Sequence, residues 1–240
     1  MRILGIECAS VTASAAVWED GALLCEAFNA TRLTHSQTLL PMVRDMLQNA
    51  RLRLAEIDGL AVAAGPGSFT GLRIGIAAVK GMAMALDIPC AGVSTLEAMA
   101  YGLPAHGAVV LPVMDARCGQ VYAAAFACEN DVPRRLWEDL AVSIDELGDR
   151  LASLGQSDLL LVGDGARLCY DRLRARCPGL RLAPAQLRAP RAAGVCLAAA
   201  AAGRMGPARD LTPCYLRLPQ AERELRARQA DQKQATSQMI

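Results

Sequence analysis

A chain of 240 residues can bury one large core or two lobes of ordinary domain size. Its net charge of +1 hides an asymmetry, because residues 165–230 hold thirteen Arg, no Lys and four acids and leave about −8 on the rest; a tRNA or an acidic protein face could use that basic half, but with aromatics at 4% it reads first as a solvated surface. Nine scattered cysteines without a Cys-x-x-Cys pair or a secretory leader exclude a disulfide framework, and no apolar run approaches the roughly 20 residues that span a bilayer, so the expected location is the cytoplasm with no membrane contact.

In chain order, strands are predicted over 2–6, 12–18 and 22–28, with Glu19-Asp20-Gly21 as a hairpin turn. A helix is expected over 36–50, with Leu39, Leu40, Val43, Met46, Leu47 and Ala50 on one face; Pro41 belongs in or just after its first turn, or kinks it. A buried strand over 60–64 leads into a glycine run, a long helix to Leu86, a strand over 90–93 and a helix over 94–101. The pattern then starts over: strands over 108–114, 120–128 and 136–142, a helix over 143–154 with Glu146 at capping-box spacing from Ser143, a strand over 158–162 and a helix over 166–176. Two β-β-β-α-β-α units imply a duplicated, two-lobed α/β protein with mixed sheets flanked by helices and a cleft between its lobes.

The glycine run reads Gly65-Pro66-Gly67-Ser68-Phe69-Thr70-Gly71-Leu72-Arg73-Ile74-Gly75. It lies where a strand hands over to a helix, so glycines there permit close backbone approach and the free amides of the helix start can receive an anion. It ends in no Gly-Lys-Ser/Thr and lacks the spacing of a dinucleotide fingerprint. In the helix that follows, Phe69, Leu72, Ile76, Val79 and Ala83 form one apolar line, while Gly71, Gly75, Ala78 and Ala85 form a second line of small residues. Either this is a core helix buried on two sides, or one side packs on a sheet and the other on a partner protein. On the second reading the small-residue line points away from the sheet, and a bulky charge at Gly75 would break assembly while leaving the fold intact.

Two acids occupy equivalent places in the repeat: Glu7 ends the first strand of one unit and Asp115 the first strand of the other. Facing a cleft, they could hold Mg²⁺ or orient a water; alternatively each caps a turn. With Ser10, Gly163 and Gly165 they are the candidates for binding an anion or nucleotide.

These residues resemble the TsaB (YeaZ) family of bacterial tRNA threonylcarbamoyladenosine biosynthesis. The resemblance rests on His35-Ser36-Gln37 leading into Leu39-Leu40-Pro41, the Gly65 to Gly75 run, Val93-Ser94-Thr95-Leu96-Glu97, Asp115-Ala116-Arg117 with Val121-Tyr122-Ala123, and Pro213-Cys214-Tyr215-Leu216-Arg217 with Pro219-Gln220-Ala221-Glu222. It implies the two-lobed actin, Hsp70 and sugar-kinase architecture, of the ribonuclease H-like kind, with lobes at 1–102 and 103–222, a last helix packing back on the first lobe, and a polar, flexible tail at 223–240. It further implies a noncatalytic subunit that binds and activates a TsaD-like threonylcarbamoyltransferase acting beside the anticodon. A TsaE-like ATPase would join the full complex, the chain alone would form a homodimer, and tRNA would be met only through the complex. The implied partner interface comprises Leu39, Val43, Met46 and Leu47 from the first helix and Phe69, Gly71, Leu72, Gly75, Ala78 and Met82 from the second.

The same resemblance places ATP and metal in the partner and none in this chain. The catalytic relative binds metal through two histidines one helical turn apart, and here Thr95 and Met99 stand in the equivalent segment. Neither is a competent ligand for a hard or borderline divalent ion. His35 and His106 cannot replace them by spacing, His35 reading instead as a helix-start hydrogen bonder and His106 as an exposed loop residue. Glu7-Cys8-Ala9-Ser10 replaces the family's Asp-Thr-Ser-Thr, removing two hydroxyls that could meet phosphate. The competing readings are an ATP-dependent phosphotransferase of the same fold and a metallopeptidase, for which no adequate ligand set can be assembled.

Overall fold

A computed structural model describes residues 1–103, 107–129 and 132–217. His106, the Pro219 to Glu222 motif and the tail at 223–240 lie outside the described residues.

Short apolar runs at the N-terminus form three antiparallel strands, β1 (Arg2–Glu7), β2 (Ala13–Glu19) and β3 (Ala22–Asn29). Asp20 and Gly21 join β2 to β3 with φ of 46° and 97°, the left-handed pair that a two-residue hairpin requires. After α1 (His35–Asn49), β4 (Gly59–Gly65) pairs parallel with β1; after α2 (Phe69–Leu86), β5 (Cys90–Ser94) pairs parallel with β4. β4 is buried on both faces, as its unbroken apolar run requires. α3 (Thr95–Tyr101) follows, started by Ser94, whose hydroxyl accepts from the Glu97 amide.

The second unit repeats the first. It contains β6 (Val109–Asp115), β7 (Gln120–Glu129), β8 (Val132–Ser143), α4 (Ile144–Ser153), β9 (Leu159–Val162) and α5 (Ala166–Leu173). It ends in β10 (Leu180–Leu182), which the sequence reading did not include. The sheets have the orders β3-β2-β1-β4-β5 and β8-β7-β6-β9-β10, so the two halves share one topology. β8 begins four residues before the expected strand, because its polar start, Val132 to Arg135, still pairs with β7. Ser143 caps α4 by accepting from the Glu146 amide, while the Glu146 carboxylate turns to Arg150.

The helix α6 (Ala192–Ala202) is too weakly patterned to be delimited from sequence, and it packs on β1, β2 and α3. Gly5 admits it, since a Cβ there would lie 2.5 Å from Cys196 Sγ; Gly194 likewise would meet the Ala98 carbonyl oxygen at 2.0 Å. Glu26 anchors its start, accepting from Arg191 Nη2 at 2.7 Å and from the Ala193 amide at 3.2 Å.

A polar cluster joins the halves. Arg135 of β8 pairs with Asp139 and, at 3.2 Å, with Glu97 of α3, while Ser94 Oγ donates to Asp139 at 2.6 Å. The Arg135 guanidinium also lies 4.7 Å from the Phe126 ring centre.

Among the described helices α2 alone has the length and apolar composition of a membrane span. Six of its residues are buried in the chain, Leu72, Ile76, Val79 and Ala83 among them, and it packs on β4, so its apolar character belongs first to the core of this lobe.

Candidate functional site

Between the lobes lies a cleft of about 280 Å³, walled by the β1–β2 loop, the start of α2, the end of β6 with its turn, Asp164 and the segment from Cys214 to Arg217. Strand ends deliver its acids. Glu7, the last residue of β1, is fully buried; Oε1 accepts from the Ala9 amide at 2.7 Å and Oε2 has no partner. Loss of water pushes its carboxyl up to about 8, with the nearby Asp164 charge adding and the Ala9 amide opposing, so Glu7 carries a proton at neutral pH.

Asp115, half-buried at the end of β6, caps its own turn. Its Oδ1 accepts from the Arg117 amide at 2.8 Å, and its other oxygen lies 3.6 Å from the Arg117 guanidinium. Asp164, which the sequence reading passed over, accepts from the Asp115 amide at 3.0 Å. Burial raises its carboxyl above the ordinary range, the Asp115 charge adds, and backbone amides pull the other way. The repeat could have revealed it, because Gly163-Asp164-Gly165 stands after β9 where Gly65-Pro66-Gly67 stands at the end of β4.

The remaining anion candidates are occupied by the chain itself. Ser10 Oγ is 2.8 Å from Thr12 Oγ1 and accepts from the Thr12 amide, and the Ser10 carbonyl accepts from His35 Nε2 at 2.9 Å. His35 therefore ties the start of α1 to the β1–β2 loop. A Cβ on Gly163 would sit 2.1 Å from the Val113 carbonyl oxygen and one on Gly165 2.9 Å from the Met114 carbonyl carbon, so both glycines are set by contact with β6. At the glycine run the Ser68 amide donates to the Ala9 carbonyl at 2.7 Å, and Ser68 Oγ accepts from the Gly71 amide at 3.3 Å. Two of the amides counted as an anion site are thus already bonded. Thr95 and Met99 are buried in the core, the Thr95 hydroxyl without a partner. No cluster of three metal-ligating side chains occurs among the described residues.

The helix residues require a larger correction. Leu39, Val43, Met46, Leu47, Gly71, Leu72 and Gly75 are all buried in the chain itself and present no free surface. Gly71 and Gly75 face inward because the end of β1 lies against them: a Cβ on Gly71 would meet the Cys8 carbonyl oxygen at 2.1 Å, and one on Gly75 would meet Cys8 Sγ at 2.6 Å. The first half of the small-residue line, Gly71 and Gly75, therefore points toward the sheet, whereas Ala85 at its far end is exposed, and Gly75→Arg would disrupt the fold itself. Phe69 is covered by Tyr215 and Arg73, while Ala78 and Met82 are half-buried. What α2 leaves exposed is Thr70, Arg73, Ala77, Gly81, Met84 and Ala85, with Leu40 of α1 also exposed. Four arginines of the basic half pair with acids, Arg167 with Asp171, Arg176 with Asp149, Arg181 with Asp158 and Arg191 with Glu26.

Two equivalent units meeting across a cleft define a protein of the two-lobed actin and sugar-kinase architecture. A hexokinase of the ROK kind from Thermus thermophilus shares this fold, with a TM-score of 0.50 at 13% identity over 85% of this chain and 100% of that one. The family model described as TsaD, tRNA N6-adenosine threonylcarbamoyltransferase, matches residues 29–154. A Bacillus subtilis tRNA threonylcarbamoyladenosine biosynthesis protein TsaB is 32% identical over 158 residues, covering 66% of this chain and 68% of the relative. The Escherichia coli protein of that name is 44% identical over 128 residues, an alignment that spans 52% of this chain and 55% of the relative's length. YeaZ from Pseudomonas aeruginosa superposes with a TM-score of 0.75 at 28% identity, covering 90% of this chain and 99% of that one. The chain belongs to the TsaB (YeaZ) family.

Proposed function

We propose that this chain takes part in making threonylcarbamoyladenosine in tRNA as a noncatalytic subunit, docking on and activating a TsaD-like threonylcarbamoyltransferase that acts beside the anticodon. ATP and metal reside in that partner, a TsaE-like ATPase joins the full complex, and tRNA is met through the assembly. The observation that carries the docking surface is α2. It is an 18-residue apolar helix of which only a third is buried, and Met84 stands 74% exposed on the same helix as Ala77 and Gly81. Leu40 on α1 is 52% exposed. Apolar surface of this kind marks protein contact sites, and its small residues let another helix approach closely. A homodimer of the chain alone uses the same stripe, so it competes with the productive complex.

Co-expression with the TsaD-like protein of the same organism tests this reading, with co-purification and tRNA modification as readouts. Gly81 has nothing within 4 Å of its Cβ position, so Gly81→Arg is expected to fold normally. Together with Ala77→Arg it is expected to abolish both readouts. Retention of both by folded variants would overturn the docking surface, and modification by the partner alone at the full rate would overturn the activating role.

A further inference from the structure

The segment after α6 has no part in the docking surface, yet the chain builds a path for it. Gly206 exchanges both backbone hydrogen bonds with Cys90 at the edge of the first sheet, at 2.8 and 2.9 Å. Further on, the Cys214 amide donates to the Ala64 carbonyl at 2.7 Å. Gly65 allows this approach, since a Cβ there would lie 2.2 Å from the Cys214 carbonyl oxygen. Tyr215 then lays its ring against Phe69, with centroids 4.9 Å apart, and its hydroxyl accepts from Arg73 Nε at 3.0 Å. The Arg73 guanidinium completes the stack 3.8 Å from the Phe69 centroid. Two residues later the chain changes lobes: Arg217 Nη1 donates to the Ala116 carbonyl, in the turn after β6, at 2.6 Å.

We propose that residues 212–217 are a strap that latches the two lobes across the cleft, so that the cleft works as a joint held closed by the chain's own C-terminal segment. Its first-lobe anchors combine a backbone bond, a ring stack and a cation over that stack, and its second-lobe anchor is a charge-assisted bond to a backbone carbonyl. Cys214, Tyr215, Leu216 and Arg217 form one wall of the cleft, which places the strap in the space between the lobes. This inference stands apart from the docking surface, because it concerns contacts within one chain.

Hydrogen exchange read by mass spectrometry on the full chain tests it, with Tyr215→Ala and Arg217→Met compared against the unaltered protein. The Tyr215 ring and hydroxyl contacts are to the first lobe and the Arg217 bond is to the second, so the two variants cut opposite ends. A latch makes each cut felt at both ends. Either substitution is expected to speed exchange about tenfold in residues 64–73 and in residues 115–120 alike, with α5 unchanged. Tyr215→Phe keeps the ring stack and removes only the hydroxyl contact, and it is expected to give a smaller acceleration of the same two segments. It serves as the reading if circular dichroism finds the alanine variant unfolded. Acceleration confined to the lobe of the altered anchor, or none in either segment, would overturn the strap.

Discussion

Gly71 and Gly81 lie on one helix in opposite environments, and replacing each by Ala separates the packing of α2 from its intrinsic propensity. Ala in place of Gly in a helix favours the folded state by up to about 1 kcal/mol, through propensity and a less flexible unfolded chain. At Gly81 the new methyl meets nothing within 4 Å, so that gain is expected nearly whole, at roughly 0.5–1 kcal/mol. At Gly71 the Cβ would lie 2.1 Å from the Cys8 carbonyl oxygen. The obstacle is backbone, so the end of β1 must retreat by more than an ångström or α2 must lift, and the Cys8 Sγ contact to the Gly71 carbonyl, now 3.1 Å, is lost with it. Overpacking of this kind costs about 1–3 kcal/mol or more, which outweighs the propensity gain and leaves Gly71→Ala less stable than the parent. Urea unfolding followed by circular dichroism, at an unchanged slope, measures both variants. Equal stabilisation by the two substitutions would refute the inward placement of Gly71.

Glu7 makes stability depend on pH. Its folded carboxyl keeps a proton that the unfolded one releases near 4.5, so its contribution is complete below that pH and is lost as pH rises toward about 8. At about 1.4 kcal/mol per pH unit the loss amounts to roughly 5 kcal/mol across the window. Glu7→Gln, uncharged throughout, is expected to flatten this slope between pH 5 and 8; an unchanged slope would show that Glu7 is ionised in the folded state. Ser94 caps α3 and donates to Asp139, so Ser94→Ala is expected to cost about 1–2 kcal/mol in thermal unfolding, and a neutral result would remove it from the lobe contact. Cys118 and Cys214 are exposed whereas Cys8, Cys90, Cys169, Cys177 and Cys196 are buried, and burial pushes Cys169 and Cys196 up to about 12. A thiol reagent at neutral pH is therefore expected to modify Cys118 and Cys214 first and the buried five only on unfolding, as peptide mapping would report.

The duplicated order of elements was legible in the sequence because it rests on local rules: the short apolar runs of β1 and β2, the Asp20-Gly21 turn, serines at the starts of α2, α3 and α4, and the unbroken apolar run of β4. Each depends on residues within a few positions of one another, so no knowledge of the rest of the chain is needed. The motifs likewise pointed to the TsaB family without coordinates. The orientation of each helix was a different matter. Two stripes on α2 both looked suited to burial, and the choice was made by Cys8, sixty-three residues before Gly71, whose carbonyl leaves no room for a Cβ there. Glu7 and Asp164 are separated by most of the chain, and their proton affinities are raised by burial, with the Asp164 charge adding at Glu7 and the Asp115 charge at Asp164, none of which spacing encodes. The Tyr215 and Arg217 contacts arise in the same way, from a segment that returns to Phe69 and Ala116 only once both lobes are folded. A sequence determines which stripes and turns can form because these are short-range properties; which stripe is covered, and which acid keeps its proton, is decided by what distant segments bring against it.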